Sequence, residues 1–318
     1  MKGFLGVDVG SVSTNFVVID HNNEVLVDLY IRTKGQPIRA VQEGLKQIAS
    51  EIGNSIDICG VGTTGSARHL TSILVGGDSV KNEITAHAVA ASAVIPGVQT
   101  VLEIGGQDSK IILLRQGVVT DFAMNTVCAA GTGSFLDQQA SRLNIPIEDF
   151  GGLALQSKAP VRIAGRCSVF AESDMIHKQQ LGHNLEDIIA GLCEALVRNY
   201  LNNVGKGKEI VSPVVFQGGV AANVGIKQAF ERALGVEVVV PGYFSVMGAI
   251  GSAILAREQV RKKDKTNFKG FEASEFKYKA GSFECKGCSN LCEIIEIYHD
   301  EQVIARWGDR CGKWENIS

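Results

Sequence analysis

Glu103-Ile104-Gly105-Gly106-Gln107-Asp108-Ser109-Lys110 decides the fold, because the same grammar has already occurred once, at Asp8-Val9-Gly10-Ser11-Val12-Ser13-Thr14. In each stretch a carboxylate ends an apolar strand and small residues with a hydroxyl follow in a tight turn. Backbone N–H groups of Gly10, Ser11, Val12, Gly105 and Gly106, with the hydroxyls of Ser11, Ser13 or Thr14, can then approach phosphate oxygens. A third element, Phe216-Gln217-Gly218-Gly219-Val220-Ala221-Ala222-Asn223, is a strand followed by paired glycines at a helix start. Its bare backbone at Gly218 and Gly219, with Ala222 and Asn223 beyond, gives a flat adenosine ring a surface to lie on. Each element alone reads as an ordinary turn. Three in this order and spacing read as a clamp for a nucleoside triphosphate.

Working outward, the pattern around each acidic turn repeats. Gly3 to Val9, Phe16 to Asp20 and Glu24 to Ile31 read as an antiparallel meander, followed by a helix from Pro37 with Ile38, Val41, Leu45, Ile48 and Ile52 on one face. Ile56 to Val61 is a strand, Gly62-Thr63-Thr64-Gly65 a turn into a helix, and Ile84 to Val94 a further helix. The second half restarts at Thr100–Ile104, Ser109–Arg115 and Val118–Ala123. Helices follow near 131–143, 168–180 and 184–202, then a strand at Val214–Phe216. Gly218-Gly219 opens a helix to about Ala233, and a last helix runs from about Ser245 to Arg257. Strand–strand–strand–helix units occurring twice predict an α/β protein of two duplicated, ribonuclease-H-like lobes around a cleft. The expected domains are residues 1–95 plus 245–260, residues 96–244, and a C-terminal extension at 261–318. The charged run Arg257 to Lys265 reads as a solvated helix end and linker.

At 318 residues the chain can bury two cores. Its net charge of -3 and the lack of a basic face argue against nucleic acid as a partner. No apolar run is long enough to span a membrane, and the start Met1-Lys2-Gly3-Phe4-Leu5 runs straight into a strand. Eight cysteines without an export pattern point to reduced thiols, metal ligation and a cytoplasmic setting.

Two of those cysteines stand just ahead of helix starts, Cys128 in Asn125-Thr126-Val127-Cys128-Ala129-Ala130-Gly131-Thr132-Gly133 and Cys167 in Arg166-Cys167-Ser168. A nucleotide cleft has no chemical need of thiols, so their presence suggests phosphoryl chemistry coupled to a redox centre. Cys59, in an apolar strand, and Cys193, on the apolar face of a long helix, read as core residues. His87 and His177 read as structural polar groups.

The three turns together resemble the superfamily of actin, Hsp70 chaperones and sugar kinases over about residues 1–258. Within it, Gly105–Lys110, Asn125–Phe135, Arg166–Asp174 and Gly218–Asn223 look like the activators of 2-hydroxyacyl-CoA dehydratase, a family that also contains the ATPase subunits of benzoyl-CoA reductase. The resemblance implies two lobes closing on ATP or ADP with Mg²⁺. It also implies a homodimer bridged by one 4Fe–4S cluster, with Cys128 and Cys167 of each subunit as ligands. The implied partners are a ferredoxin- or flavodoxin-like electron donor and an iron–sulfur acceptor enzyme of the dehydratase or reductase type. Asp8 is the candidate Mg²⁺ holder, directly or through water. Glu103, Gln107 and Asp108 are candidates for placing the attacking water, and Lys110 for neutralising nearby phosphate or carboxylate charge. The superfamily usually carries Asp where this chain has Glu103, so metal contact there is expected to run through water.

The extension carries Cys285-Lys286-Gly287-Cys288-Ser289-Asn290-Leu291-Cys292, then Cys311. Four thiols so spaced suit a structural zinc site or a second Fe–S cluster, and Glu293–Tyr298 with Gln302–Trp307 read as a hairpin beside them. Two other functions fit the superfamily. An amino-sugar kinase would use Asp121 as base and has no use for the cysteines. A non-catalytic actin-like nucleotide sensor would form filaments or bind DNA.

Overall fold

The computed structural model describes residues 1–125, 127–262 and 265–314. Thr126 of the first cysteine motif and Lys263 and Asp264 of the expected linker lie outside the described residues. The first lobe contains β1 (Lys2–Val9), β2 (Ser13–Ile19), β3 (Val25–Arg32), α1 (Pro37–Ile52), β4 (Asp57–Thr64), α2 (Arg68–Val75), β5 (Ser79–Val80) and α3 (Glu83–Val94). The second contains β6 (Thr100–Ile104), β7 (Ser109–Arg115), β8 (Val118–Asn125), α4 (Gly133–Leu143), α5 (Ile147–Ala154), α6 (Ser168–Gln180), α7 (Leu185–Asn203), β9 (Val214–Gln217), α8 (Val224–Leu234) and β10 (Val238–Val239). Then come α9 (Met247–Val260), β11 (Tyr278–Glu284), β12 (Glu293–His299) and β13 (Gln302–Trp307).

The two lobe sheets are copies in topology. The first runs β3-β2-β1-β4-β5 and the second β8-β7-β6-β9-β10, each with an antiparallel meander joined to a parallel half at the strand that ends in the acid turn. In the first lobe α1 buries Ala40, Val41, Leu45, Ile48 and Ile52, the face its spacing predicts. Both α3 and α9 are apolar on nearly every side, which suits helices buried all round. They lie between the sheets, where Ile84, Ala88, Ala91, Ile250 and Ile254 share one core with Phe4 and Val17 of the first lobe and Val101, Ile112 and Val215 of the second. The lobes are thus welded along one side and open at the acid turns.

Three local expectations change. Gly62, Thr63 and Thr64 continue β4 because they pair with β1 and β5, and the turn begins only at Gly65. Gly218 and Gly219 lead into a short 3-10 turn at 219–222, and the helix proper starts at Val224, capped by the Asn223 side chain, which accepts from the Ile226 N–H at 3.0 Å. Arg257 is buried rather than solvated, with its guanidinium donating to the His21 carbonyl at 2.7 Å.

The expected hairpin is present and gains β11, making a three-stranded antiparallel sheet. Residues ahead of it pack on the first lobe through Phe268, Phe271, Ala273, Phe276 and Tyr278. A single buried carboxylate, Asp78, accepts from the Val61 N–H at 2.9 Å, the Thr266 hydroxyl at 2.6 Å and the Asn267 N–H at 2.7 Å. Asp78→Ala strands these donors and is expected to cost about 2 kcal/mol in urea unfolding. It should also speed release of a C-terminal fragment in limited proteolysis; unchanged stability and digestion would remove Asp78 as the latch.

Candidate nucleotide cleft and cysteine pair

The acid turns of the two lobes meet. A Cβ placed on Gly106 would come within 2.7 Å of Val12 Cγ2, so the second-lobe turn lies directly against the first. Between them runs a cleft lined by Asp8, Gly10, Ser11, Val12, Ser13, Glu83, Glu103, Gly105, Gly106, Gln107, Asp108, Lys110, Gly218 and Gly219. It continues into a recess bounded by Tyr30, Gly133, Leu136, Ile147, Ala222 and Asn223. Gly218 sits at φ 89°, where a side chain would strike the Ile104 carbonyl and come within 2.8 Å of Glu103 Oε1, so only glycine lets this turn close on the acid. One nominated residue does not reach the cleft. Thr14 is fully buried in β2, with its hydroxyl 2.9 Å from that of Thr33.

Lys110 governs the charge at the cleft floor. Its Nζ stands 2.8 Å from Glu83, 2.9 Å from Glu103 and 2.9 Å from Asp108, and the side chain is almost wholly buried. Burial works against its charge, but Glu103, Glu83 and Asp108 outweigh that and hold its pKa above the ordinary lysine value. One cation facing three carboxylates leaves an excess of negative charge even before Asp8 is counted. Burial, reinforced by Glu83, pushes Asp8 up to about 7. Burial likewise raises Glu103 to about 7 against the pull of Lys110. Glu83 is the carboxylate that wins: burial acts to raise it, but Lys110 holds it below its ordinary range. Gln107 stays exposed at the cleft mouth. Burial, with Lys110 adding to it, drops His87 to about 4, so the imidazole is neutral, and its Nδ1 pairs with Gln217 Nε2 at 2.8 Å.

The two cysteines occupy neighbouring loops at one end of α7. The Asn125 side chain holds the first loop, accepting from the Cys128 N–H at 3.0 Å and donating to the Cys128 carbonyl at 2.9 Å. Cys128 Sγ lies 3.6 Å from the carbonyl of Arg166, the residue preceding Cys167. Asn199 of α7 clamps both loops, donating to the Gly165 carbonyl at 2.5 Å and to Cys128 Sγ at 3.7 Å. Cys167 stands at the N-cap of α6, its carbonyl accepting from Ala171 at 2.9 Å. Both thiols are half-buried, and Val127, Val169 and Phe170 beside them are strongly exposed, at 94%, 67% and 67%. The loop is tied to the cleft as well. Gly133 and Ser134 donate their N–H groups to the carbonyls of Gly105 and Gly106, both at 2.9 Å.

Glu83, Asn199 and Tyr200 escaped sequence reasoning, because each sits in a plain helical stretch; only position relative to a distant strand reveals them. Cys193 is a core residue as expected, while Cys59 is half-buried at the rim of the shared core. Asp121 lies on the edge strand β8, paired with Lys208 at 2.6 Å, and is not among the residues lining the cleft, which leaves the kinase alternative without its base. Among the described residues, no three His, Cys, Asp or Glu side chains form a ready metal-holding group, and no helix is long and apolar enough to cross a membrane.

Two actin-like lobes closing on a cleft with acidic glycine turns define an ATPase of that superfamily. Residues 5–256 match the model of the BadF/BadG/BcrA/BcrD ATPase family, and the chain belongs to it. It is similar to the (R)-2-hydroxyglutaryl-CoA dehydratase activating ATPase of Acidaminococcus fermentans, 36% identical over 81% of this chain and 98% of that one. Among solved structures it resembles the activator of the 2-hydroxyisocaproyl-CoA dehydratase from Clostridium difficile with bound ADPNP. That match has a TM-score of 0.76 at 30% identity and covers 82% of this chain and 97% of the other. It also resembles component A of the Acidaminococcus fermentans (R)-2-hydroxyglutaryl-CoA dehydratase, with a TM-score of 0.74 at 33% identity, covering 82% and 100%.

The raised Asp8 carboxyl makes a signed prediction. Its folded pKa, about 7, exceeds its ordinary 3.8, so the folded state keeps a proton that the unfolded chain releases. The stability this contributes is complete at low pH and is lost as pH rises through 7. Without metal or nucleotide, the stability difference between wild type and Asp8→Asn should therefore fall by roughly 2 kcal/mol from about pH 4.5 to about pH 8, after allowance for the side chain's opening to the cleft. A flat difference curve would contradict a buried Asp8 that holds its proton to near neutral pH.

Proposed function

We propose that this chain is an ATP-driven electron-transfer activator: two copies hold one 4Fe–4S cluster through Cys128 and Cys167 of each, and Mg-ATP hydrolysis drives one-electron reduction of a partner iron–sulfur enzyme. The observation that carries this reading is the pair of half-buried thiols in adjacent loops, clamped by Asn199 and hydrogen-bonded onward to the phosphate turn. Two thiolates are half of what a 4Fe–4S cluster needs, and a two-fold axis supplies the other half from the same patch. Exposed Val127, Val169 and Phe170 give that contact an apolar rim. When bound, the cluster supplies a one-electron carrier.

The cleft residues fit Mg²⁺ and a nucleotide. A site with surplus carboxylate charge repels a bare triphosphate and accepts one that arrives with a divalent cation, for which Asp8 is the holder. Asn223 Nδ2, buried and without a protein partner, is a donor open to the adenosine in the recess it lines. Gln107 and Glu103 orient the attacking water, and Lys110 keeps Glu103 and Asp108 in register. Hydrolysis loosens the Gly105–Gly106 turn, and its bonds to Gly133 and Ser134 carry the change to the Cys128 loop. The relatives' roles support a 2-hydroxyacyl-CoA dehydratase or a benzoyl-CoA-reductase-type protein as acceptor. The donor in this reading is a ferredoxin- or flavodoxin-like protein, and the setting is the cytoplasm.

Anaerobic purification tests this. About four irons and four sulfides per two chains should disappear in Cys128→Ser and in Cys167→Ser, with nucleotide affinity kept within about threefold. Iron content indifferent to both substitutions would overturn the reading.

A further inference from the structure

The family match ends at residue 256, so the cysteines of the extension lie outside the stretch it covers. Three of them, Cys285, Cys288 and Cys292, share the turn joining β11 to β12, which closes on itself through Cys285 N–H donating to the Cys292 carbonyl at 2.8 Å and Leu291 N–H to the Cys288 carbonyl at 3.3 Å. The chain beyond β13, which carries Cys311, folds back to that same turn. Trp314 packs edge-on against Phe283 with ring centroids 5.0 Å apart, and its indole N–H donates to Cys285 Sγ at 3.3 Å. Gly287 lies against the same sulfur, where a Cβ placed on it would come within 3.4 Å. An indole donor on that sulfur suits a thiolate ligand, whose charge must be met even after a metal takes its share.

The three-stranded sheet buries Ile294, Ile297, Ala305 and the Cys285 side chain, and little else that is apolar. Beyond Tyr278, which reaches the first-lobe core, so small a buried set leaves room for a metal staple to add stability. No disulfide supplies one, because all eight cysteines are free.

We infer that Cys285, Cys288, Cys292 and Cys311 form a tetrathiolate site for one zinc ion, which fastens the β11–β12 turn to the segment after β13. The four sulfurs are not gathered into a metal-holding group in this structure, so zinc would draw the exposed Cys288 and Cys311 inward, with the thiol protons released to solvent and no change of oxidation state. The site is independent of the Cys128 and Cys167 pair.

Metal analysis of the full chain, purified anaerobically under reducing conditions, separates the two. Wild type and the Cys128→Ser/Cys167→Ser double variant should each carry about one zinc per chain, falling at least about fivefold in Cys288→Ser and Cys311→Ser. Cobalt substitution should give a thiolate-to-cobalt charge-transfer band that the same two variants lose. Nucleotide affinity of Cys288→Ser reports that the lobes remain folded. Zinc below about 0.2 per chain in wild type, zinc unmoved by Cys288→Ser, or iron and sulfide in place of zinc in the double variant would each overturn the assignment.

Discussion

A buried lysine surrounded by three carboxylates sets the geometry of the cleft. An ammonium group taken out of water alone costs several kcal/mol, and Lys110 tolerates its place only because Glu83, Glu103 and Asp108 all stand within 3 Å. Those partners come from different elements: Glu83 opens α3, Glu103 lies on β6, and Asp108 precedes β7. The cluster therefore pins the interlobe helix to the second sheet. It also fixes the sign of the site, since one cation cannot balance so many acids. Burial raises the carboxyls of Asp8 and Glu103 until they titrate near neutrality, and the surplus of acids makes a divalent cation the natural escort for a phosphate ligand.

The same cluster reaches the thiols by two short routes. Tyr200 of α7 donates its hydroxyl to the Lys110 carbonyl at 2.6 Å, and its neighbour Asn199 holds the loops of Cys128 and Cys167. Adjacent residues of one helix thus touch the cleft floor and the cysteine pair. The second route is the Gly105–Gly106 turn, which accepts from the first residues of α4, itself only a few positions beyond Cys128.

Much of this was legible from residue types. The paired acid turns announced a duplicated lobe because the same carboxylate, glycine and hydroxyl pattern closes an apolar strand twice, and the two sheet orders repeat as that reading requires. The single apolar face of α1 was visible in its spacing. What stayed hidden was long-range. Glu83 carries no motif, and it matters only because Lys110 lies beneath it. Thr14 looked like a phosphate ligand by composition, but β2 turns its hydroxyl toward Thr33. Arg257 read as solvated by charge, yet a carbonyl of the β2–β3 turn draws it inward. The break between α4 and the short helix α5 is marked by Asn144 at the C-cap and Pro146 at the next N-cap, but eight residues are too few for an apolar period to show.

The proposed activation requires the cleft and the cysteine loops to behave as one mechanical body. Amide hydrogen exchange across residues 127–134, with and without a Mg-bound non-hydrolysable ATP analogue, measures this directly. The expected result is that exchange in this stretch slows by about tenfold together with that of Gly105 and Gly106. Protection confined to Gly105 and Gly106, with the loop of Cys128 exchanging as before, would contradict it.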